Sequence, residues 1–330
     1  MKGNMGKIVR YALSVIVAGA LVYFAFRGTD WKAFLEGLKG TNWWFICLSV
    51  LVAIVALLFR EERWRLQLLP LYRDISRFSV WHGSNVGNLL NIVVPGVGEI
   101  TRCGYVSTGK APFDKVFGTI LMERAWDVLA VVLLLVLAAL ANTDVIAPFL
   151  EEQVFSPFTG RFDFSLWWII VIVVLLAGVA LWAVFFFSGR NAVCSRLAGW
   201  LKGILSGFSS FAKMEKKLLF ILYTAGIWVM YILMTYFTFL AIPGLGHLTF
   251  ADALFISAVG NIASVIPTPG NIGPYHYLVG MAISSIYLQV DAMTAPGLLC
   301  ATLSHGTHAI LLILLGVESY FRISFKKKDL

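Results

Sequence analysis

Charge is what this chain has least of. Only 13% of its 330 residues are charged and 59% are hydrophobic, with a mean hydropathy of +0.83. A soluble domain carries about 25% charged and 45–50% apolar residues. So few polar residues cannot cover a soluble body of this size, and so much apolar content excludes disorder. Paired cysteines are also lacking: Cys47, Cys103, Cys194 and Cys300 stand apart. That excludes a disulfide framework or a zinc-ligand spacing and leaves them as core residues. Neither G-x-S-x-G nor H-E-x-x-H occurs, so a hydrolase nucleophile elbow and a zincin site are excluded. No polar stretch exceeds about thirty residues, which is too few for an appended catalytic domain. The chain reads as one integral membrane domain over residues 1–330, with no cofactor.

Apolar runs near the length of a spanning helix, about 20 residues, occur at 8–26, 43–59, 116–141, 164–187, 218–242 and 296–320. The first follows Lys2, Lys7 and Arg10 as a signal peptide would. It runs on past Ala18-Gly19-Ala20, however, and is expected as an uncleaved anchor. Two further stretches, 79–106 and 250–288, are interrupted by Pro95-Gly96-Val97-Gly98 and by Pro267-Thr268-Pro269-Gly270. The shorter halves cannot cross a bilayer, so both are expected as re-entrant helical hairpins. Such hairpins are tolerated only where the broken backbone is buried in protein or lines a cavity.

Lys and Arg set the orientation. With the N-terminus inside and each hairpin returning to its own side, segments 1–10, 60–78, 102–115, 188–217 and 321–330 hold 21 of the 26 basic residues. The expected fold is an all-α polytopic membrane protein with about six transmembrane helices and two re-entrant hairpins, both termini inside. The net charge of +8 then reports orientation, and no nucleic-acid partner is implied. Residues 190–213 place apolar and basic positions on opposite helical faces, as in an interfacial amphipathic helix or one capping the bundle. Trp31, Phe34, Leu35 and Leu38 make a shorter amphipathic segment.

The two hairpins share a pattern. Ser84-Asn85-Val86-Gly87-Asn88 and Ser257-Ala258-Val259-Gly260-Asn261 each lead through apolar residues to Pro and Gly, and each hairpin is followed by a span with polar groups three apart. Three crossings separate them, so they enter from opposite sides. Repeat A covers about 79–141 and repeat B about 250–320, an inverted-topology arrangement that places a transport site at the repeat interface.

Charge at the centre of a span costs about 2.5–3.5 kcal/mol per residue, and 116–141 carries Glu123, Arg124 and Asp127. At 1.5 Å per residue, Glu123 lies about 10 Å and Asp127 about 16 Å from the inner end. Arg124 and Asp127 can pair at i,i+3, while Glu123 points towards Arg102. Two readings stand: a buried ion-pair network locking hairpin to helix, or a site where Arg102 and Arg124 bind an anionic headgroup. Glu99 and Arg102 follow the first Pro-Gly break, and Asn85, Asn88 and Asn91 form a polar stripe before it. Asn261, Asn271, Tyr275 and His276 surround the second break. His305 and His308, about 13–18 Å deep, read as polar packing or as a substrate or proton contact rather than a metal pair. Arg60-Glu61-Glu62-Arg63-Trp64-Arg65 is assigned to snorkelling and to anionic headgroups at the inner surface.

Arg63-Trp64, Asn88…Pro95-Gly96-x-Gly98-Glu99-x-x-Arg102, Glu123-Arg124-x-x-Asp127, the Pro267–Gly270 hairpin and the last polar span together resemble the membrane domain of the lysylphosphatidylglycerol synthase/flippase family. The resemblance covers nearly the whole chain. It implies translocation of a membrane phospholipid or glycolipid headgroup in the bacterial cytoplasmic membrane. In bifunctional members of the family a separate soluble domain carries out aminoacylation. The present sequence ends nine residues after Phe321, so synthase activity is not expected. Substrate-binding residues are expected among Asn88, Glu99, Arg102, Glu123, Arg124, Asp127, Asn261, His305 and His308. Where the first repeat has its Glu-Arg pair, the second has Ser304-His305, so the halves are not chemically equivalent. An intramembrane lipid-modifying transferase and an ion-coupled transporter of a small anion are the alternatives, and a homo-oligomer is left open.

Overall fold

The computed structural model describes residues 30–141, 209–264, 268–287 and 293–326, and the scattered positions 23, 186, 188–189, 194–195, 197–199, 201–203 and 266. The expected spans at 8–26 and 164–187, most of the amphipathic helix at 190–213, and Pro267 lie outside the described residues. The total number of crossings therefore lies outside them too.

Every regular element among the described residues is helical. A short helix α1 (Trp31–Lys39) starts at Asp30, whose carboxylate accepts from the Lys32 and Ala33 amides, as the Ncap position demands. It buries Phe34 and packs on the last helix of the chain. Helix α2 (Trp43–Leu68), capped by the Asn42 side chain, runs nine residues past the apolar stretch that predicted it. The arginine-rich segment 60–65 is therefore still helical and not a loop.

The first hairpin has an entering arm α3 (Arg77–Val93) and a returning arm α4 (Val97–Val106). Pro95 causes the break in two ways. It drives Val94 into an extended conformation (φ −133°, ψ 109°), as the residue before proline must be. Gly96 then takes φ 83°, a left-handed value that glycine alone adopts without strain. Helix α5 (Phe113–Ala141) follows, then α6 (Lys217–Ala241) after an interval mostly outside the described residues.

The second hairpin has the same plan. Its entering arm α7 (Phe250–Ala263) opens with a full capping box between Thr249 and Asp252. A 3₁₀ turn at Pro269–Asn271 reverses the chain, with Gly270 and Asn271 both at positive φ. The returning arm α8 (Pro274–Ala282) carries proline at its first turn, where no amide is needed. It passes through a π-helical turn at Ile283–Tyr287 before α9 (Ala295–Lys326). Helices α2, α6 and α9 are long and apolar enough to cross a membrane, and α5 spans about 43 Å at 1.5 Å per residue. The chain is a multi-pass helical membrane protein.

Packing centres on two apolar cores. One gathers Trp64, Leu68, Val80, Cys103, Val106, Val116 and Ile120 around the first hairpin. The other gathers Phe239, Phe255, Ile256, Val279, Ile283, Leu298 and Cys300 around the second. Cys103 and Cys300 are thus core residues as expected, whereas Cys47 is exposed. Helix α2 lies along α6, and α9 packs on both α3 and α8. The tip of one hairpin meets the tip of the other, because α3 packs against the Pro269–Asn271 turn, with Ile92 beside Gly270.

Gly87 and Gly98 let the arms of the first hairpin touch. A Cβ on Gly98 would lie 2.1 Å from the Gly87 carbonyl oxygen, and one on Gly87 would lie 2.7 Å from that of Gly98. Gly104, two turns further along α4, faces open space. Gly98→Ala is expected to cost about 1–3 kcal/mol, as overpacking does. Gly104→Ala should leave stability unchanged or raise it by up to about 1 kcal/mol through helix propensity. Thermal unfolding of the two purified variants in one detergent checks this ordering.

Candidate functional site

Helical spacing brings charged groups from three helices to one place. On α2, Arg60, Arg63 and Trp64 share a face; on α5, Glu123 and Asp127 are one turn apart; on α4, Glu99 and Arg102 lie at i and i+3. At the centre is the Glu123 carboxylate, with no exposed side-chain surface. Its Oε1 is 3.2 Å from Arg60 Nε and 3.6 Å from Arg63 Nη2, and its Oε2 is 3.1 Å from Arg102 Nη2. Arg63, 1% exposed, also reaches Asp127 at 2.8 Å.

Buried guanidinium groups need aromatic and hydrogen-bonding support, and the apolar core supplies it. The Arg102 guanidinium lies over the Trp64 ring at 4.7 Å, a cation–π arrangement favoured where water is excluded. The Trp64 indole N–H donates to Thr119 Oγ1 at 3.0 Å, which fixes the ring. Arg63 lies over Phe220 at 6.0 Å.

Arg124 is placed differently. Its Nη2 donates to Glu99 Oε1 at 3.1 Å and its Nη1 is 4.0 Å from Asp127, yet 47% of its side chain is exposed. Glu99 is itself held by the hairpin: Asn91 Nδ2 donates to its Oε2 at 3.0 Å, while Asn91 Oδ1 accepts from the Gly98 amide at 2.8 Å. Glu99 also stands in the first turn of α4, where the helix dipole favours an anion.

The expected residues Glu99, Arg102, Glu123, Arg124 and Asp127 therefore form one network. Asn88 lies on the same hairpin with a buried Nδ2 that finds no partner among the described residues. Arg60 and Arg63 are the residues that the sequence reading placed wrongly: they are not snorkelling but face inward, tied to Glu123. The missed signal was the i,i+3 spacing of two arginines within an unbroken helix. Between them on α2 but on another side of the helix, Glu62 pairs with Arg77 at 2.8 Å and with Arg65 at 3.6 Å, closer to the surface role assigned to that segment.

Asn261, His305 and His308 fall in the other half. Asn261 Nδ2 donates to its own helix at the Ser257 carbonyl, 2.8 Å away. His305 Nε2 is 2.7 Å from the Gly270 carbonyl, and its ring stacks on Tyr275 at 5.0 Å. His305 therefore anchors the turn of the second hairpin, while the Asn261 bond stays within α7. His308 instead lies within electrostatic reach of Arg60, so it is the member of this half that approaches the network.

Matching positions in the two hairpins do matching work. Gly87 abuts the returning arm at Gly98 and Arg102, and Gly260 abuts it at Tyr275. Four residues on, Asn91 ties its hairpin to Glu99, and Ser264 Oγ accepts from Asn271 Nδ2 at 3.0 Å.

Residues 11–316 match the family described as the lysylphosphatidylglycerol synthase TM region, and the chain belongs to that family. It is also similar to a UPF0104 membrane protein of the archaeon Pyrococcus horikoshii, with 25% identity over 278 residues, covering 76% of this chain and 78% of the relative. No solved structure matches it. Membership ties the chain to membrane-lipid function.

Removing the central carboxylate strands Arg60 and Arg102 and leaves Arg63 with Asp127 alone. Glu123→Gln is expected to destabilise the protein by about 3–5 kcal/mol, as the loss of one partner of a buried pair does. Arg124→Ala, which breaks half-exposed contacts, should cost under about 1 kcal/mol. Unfolding midpoints in detergent should rank Glu123→Gln far below both Arg124→Ala and the wild type.

Proposed function

We propose that this protein is a lipid flippase, moving a phospholipid or lipid-linked headgroup across the cytoplasmic membrane while the acyl chains stay in lipid. Its layout in this reading is six crossings and two re-entrant hairpins, both termini inside, with repeats A and B in inverted topology. The observation that carries the reading is Arg124. It is the half-exposed cation of an otherwise buried network, and it is bound by two carboxylates that can exchange it for a phosphate.

In this mechanism a phosphodiester approaches Arg124 between the hairpin tips and displaces Glu99 or Asp127 from the guanidinium. Glu99 keeps its bond from Asn91, so the displaced carboxylate has somewhere to rest. Arg102, Arg60 and Arg63 do not touch the lipid. Held around Glu123, they supply a fixed positive field behind Arg124, and such preorganised charge acts strongly where water is excluded. His308, within electrostatic reach of Arg60, borders the network from the second half. Because Glu99 and Asp127 can take Arg124 back, the anion is not trapped.

A charge-assisted hydrogen bond is worth about 1.5–3 kcal/mol. Arg124→Ala is therefore expected to slow transfer of fluorescent phosphatidylglycerol in phosphatidylcholine proteoliposomes on the order of 10- to 100-fold, with the protein still folded. Wild-type transfer rates in that variant would sink the assignment. In the same vesicles, lipid of altered mass would favour a transferase, and uptake of free inorganic phosphate would favour an anion carrier.

A further inference from the structure

Beside the network lies an acid that none of its pairs uses. Glu61 is 5% exposed, its Oε2 has no hydrogen-bond partner, and it forms no ion pair among the described residues. The neighbouring arginines are committed elsewhere: Arg60 and Arg102 to Glu123, and Arg65 to Glu62. Next to Glu61 on α3 is Ser84, 1% exposed, whose hydroxyl faces the Glu61 carboxylate and has no other partner among the described residues.

Glu61 is not sealed off. It lines a cavity of about 350 Å³ between α2 and α3, with Leu58 and Trp81 on its walls and Glu62, Arg65 and Arg77 around it. Arg77 is 73% exposed, so this cavity leads to the basic side of the protein. Protons can reach Glu61 there without crossing the ion-pair network.

The charges give Glu61 a role. The network has four cations, Arg60, Arg63, Arg102 and Arg124, against three carboxylates, Glu99, Glu123 and Asp127. With Glu61 ionised the set is neutral, and with Glu61 protonated it carries one surplus positive charge. One positive charge is the complement of a phosphodiester. The groups facing Glu61 are Arg60, Glu62 and Arg65 on its own helix, Ser84 and Arg77 on α3, Arg102 on α4 and Glu123 on α5. Glu62 is shared by Arg65 and Arg77 at the water-facing side.

We propose that Glu61 is a proton-binding site, loaded from this cavity, that sets the charge of the arginine network and so couples proton uptake to binding of an anionic phosphodiester lipid. The proposal rests on the flippase reading above. A proton passes from cavity water to Glu61 Oε2, in place of the interaction that the Ser84 hydroxyl makes with the ionised carboxylate. The network, now one charge positive, accepts the phosphodiester at Arg124. When the lipid leaves, the proton returns to water and Glu61 again neutralises the network. One proton moves per lipid, and no covalent bond in the lipid changes.

The test is the affinity of the full-length protein in detergent for phosphatidylglycerol, whose diester keeps its single charge across the neutral range. Obligatory uptake of one proton makes Kd rise about tenfold per pH unit above the transition. Glu61→Gln, a permanent mimic of the protonated acid, should bind with the low-pH affinity at every pH. Ser84→Ala, lacking the hydroxyl that stabilises the ionised Glu61 carboxylate, should move the transition to higher pH, and it stands in if Glu61→Gln does not fold. A flat profile in a wild type that binds would overturn the proton coupling and leave the flippase reading intact. A slope retained in Glu61→Gln, or a transition unmoved in Ser84→Ala, would equally remove Glu61 from the role. A folded wild type that binds no phosphatidylglycerol at any pH would overturn both.

Discussion

A single carboxylate, Glu123, makes the rest of the charged architecture tolerable. Three guanidinium groups converge on it from α2 and α4, and none of them could remain in an apolar bundle without an anion. An unpaired buried charge costs several kcal/mol, so Glu123 fixes where the first hairpin docks against α5 and α2. The consequence extends outward. Arg102 in place allows Trp64 to stack, Trp64 in place allows Thr119 to accept its indole proton, and the core around Cys103 and Val116 closes over them.

The two hairpins solve the same problem with different chemistry. Each exposes broken backbone inside a membrane protein and must satisfy it internally. The first uses Asn91, which accepts from the Gly98 amide and donates to Glu99. The second uses His305 on the Gly270 carbonyl and Asn271 on Ser264. Charge is concentrated in the first half, and neutral polar and aromatic groups in the second. In the proposed flippase, that asymmetry would give the path one strongly electrostatic end and one that holds its ligand weakly.

Function in this reading depends on a gradient of burial within one network. Arg63 and Arg102 are sealed and act only through their field, whereas Arg124 is open enough to trade partners. The same carboxylate chemistry yields a rigid strut at Glu123 and an exchangeable contact at Glu99 and Asp127, because only the latter pair with an accessible cation.

Much of this was legible in the sequence. Apolar run length marked the helices long and apolar enough to cross, α2, α6 and α9, the Pro-Gly breaks marked both hairpins, and the i,i+3 spacing of Arg124 and Asp127 put them on one helix face with Glu123 directed towards Arg102. Helical period is a local property, and local properties can be read from a string. Which cation would meet which carboxylate was decided only by the tertiary structure. Arg60 and Arg63 precede Glu123 by some sixty residues and looked like surface arginines at the end of a span. Their burial follows from α2 continuing to Leu68 and lying between α5 and α6. Likewise, nothing in the segment Arg60–Arg65 separates Glu61 from Glu62. One faces a buried serine and the other a pair of exposed arginines, because neighbouring residues on a helix point about 100° apart and only packing decides which direction is inside.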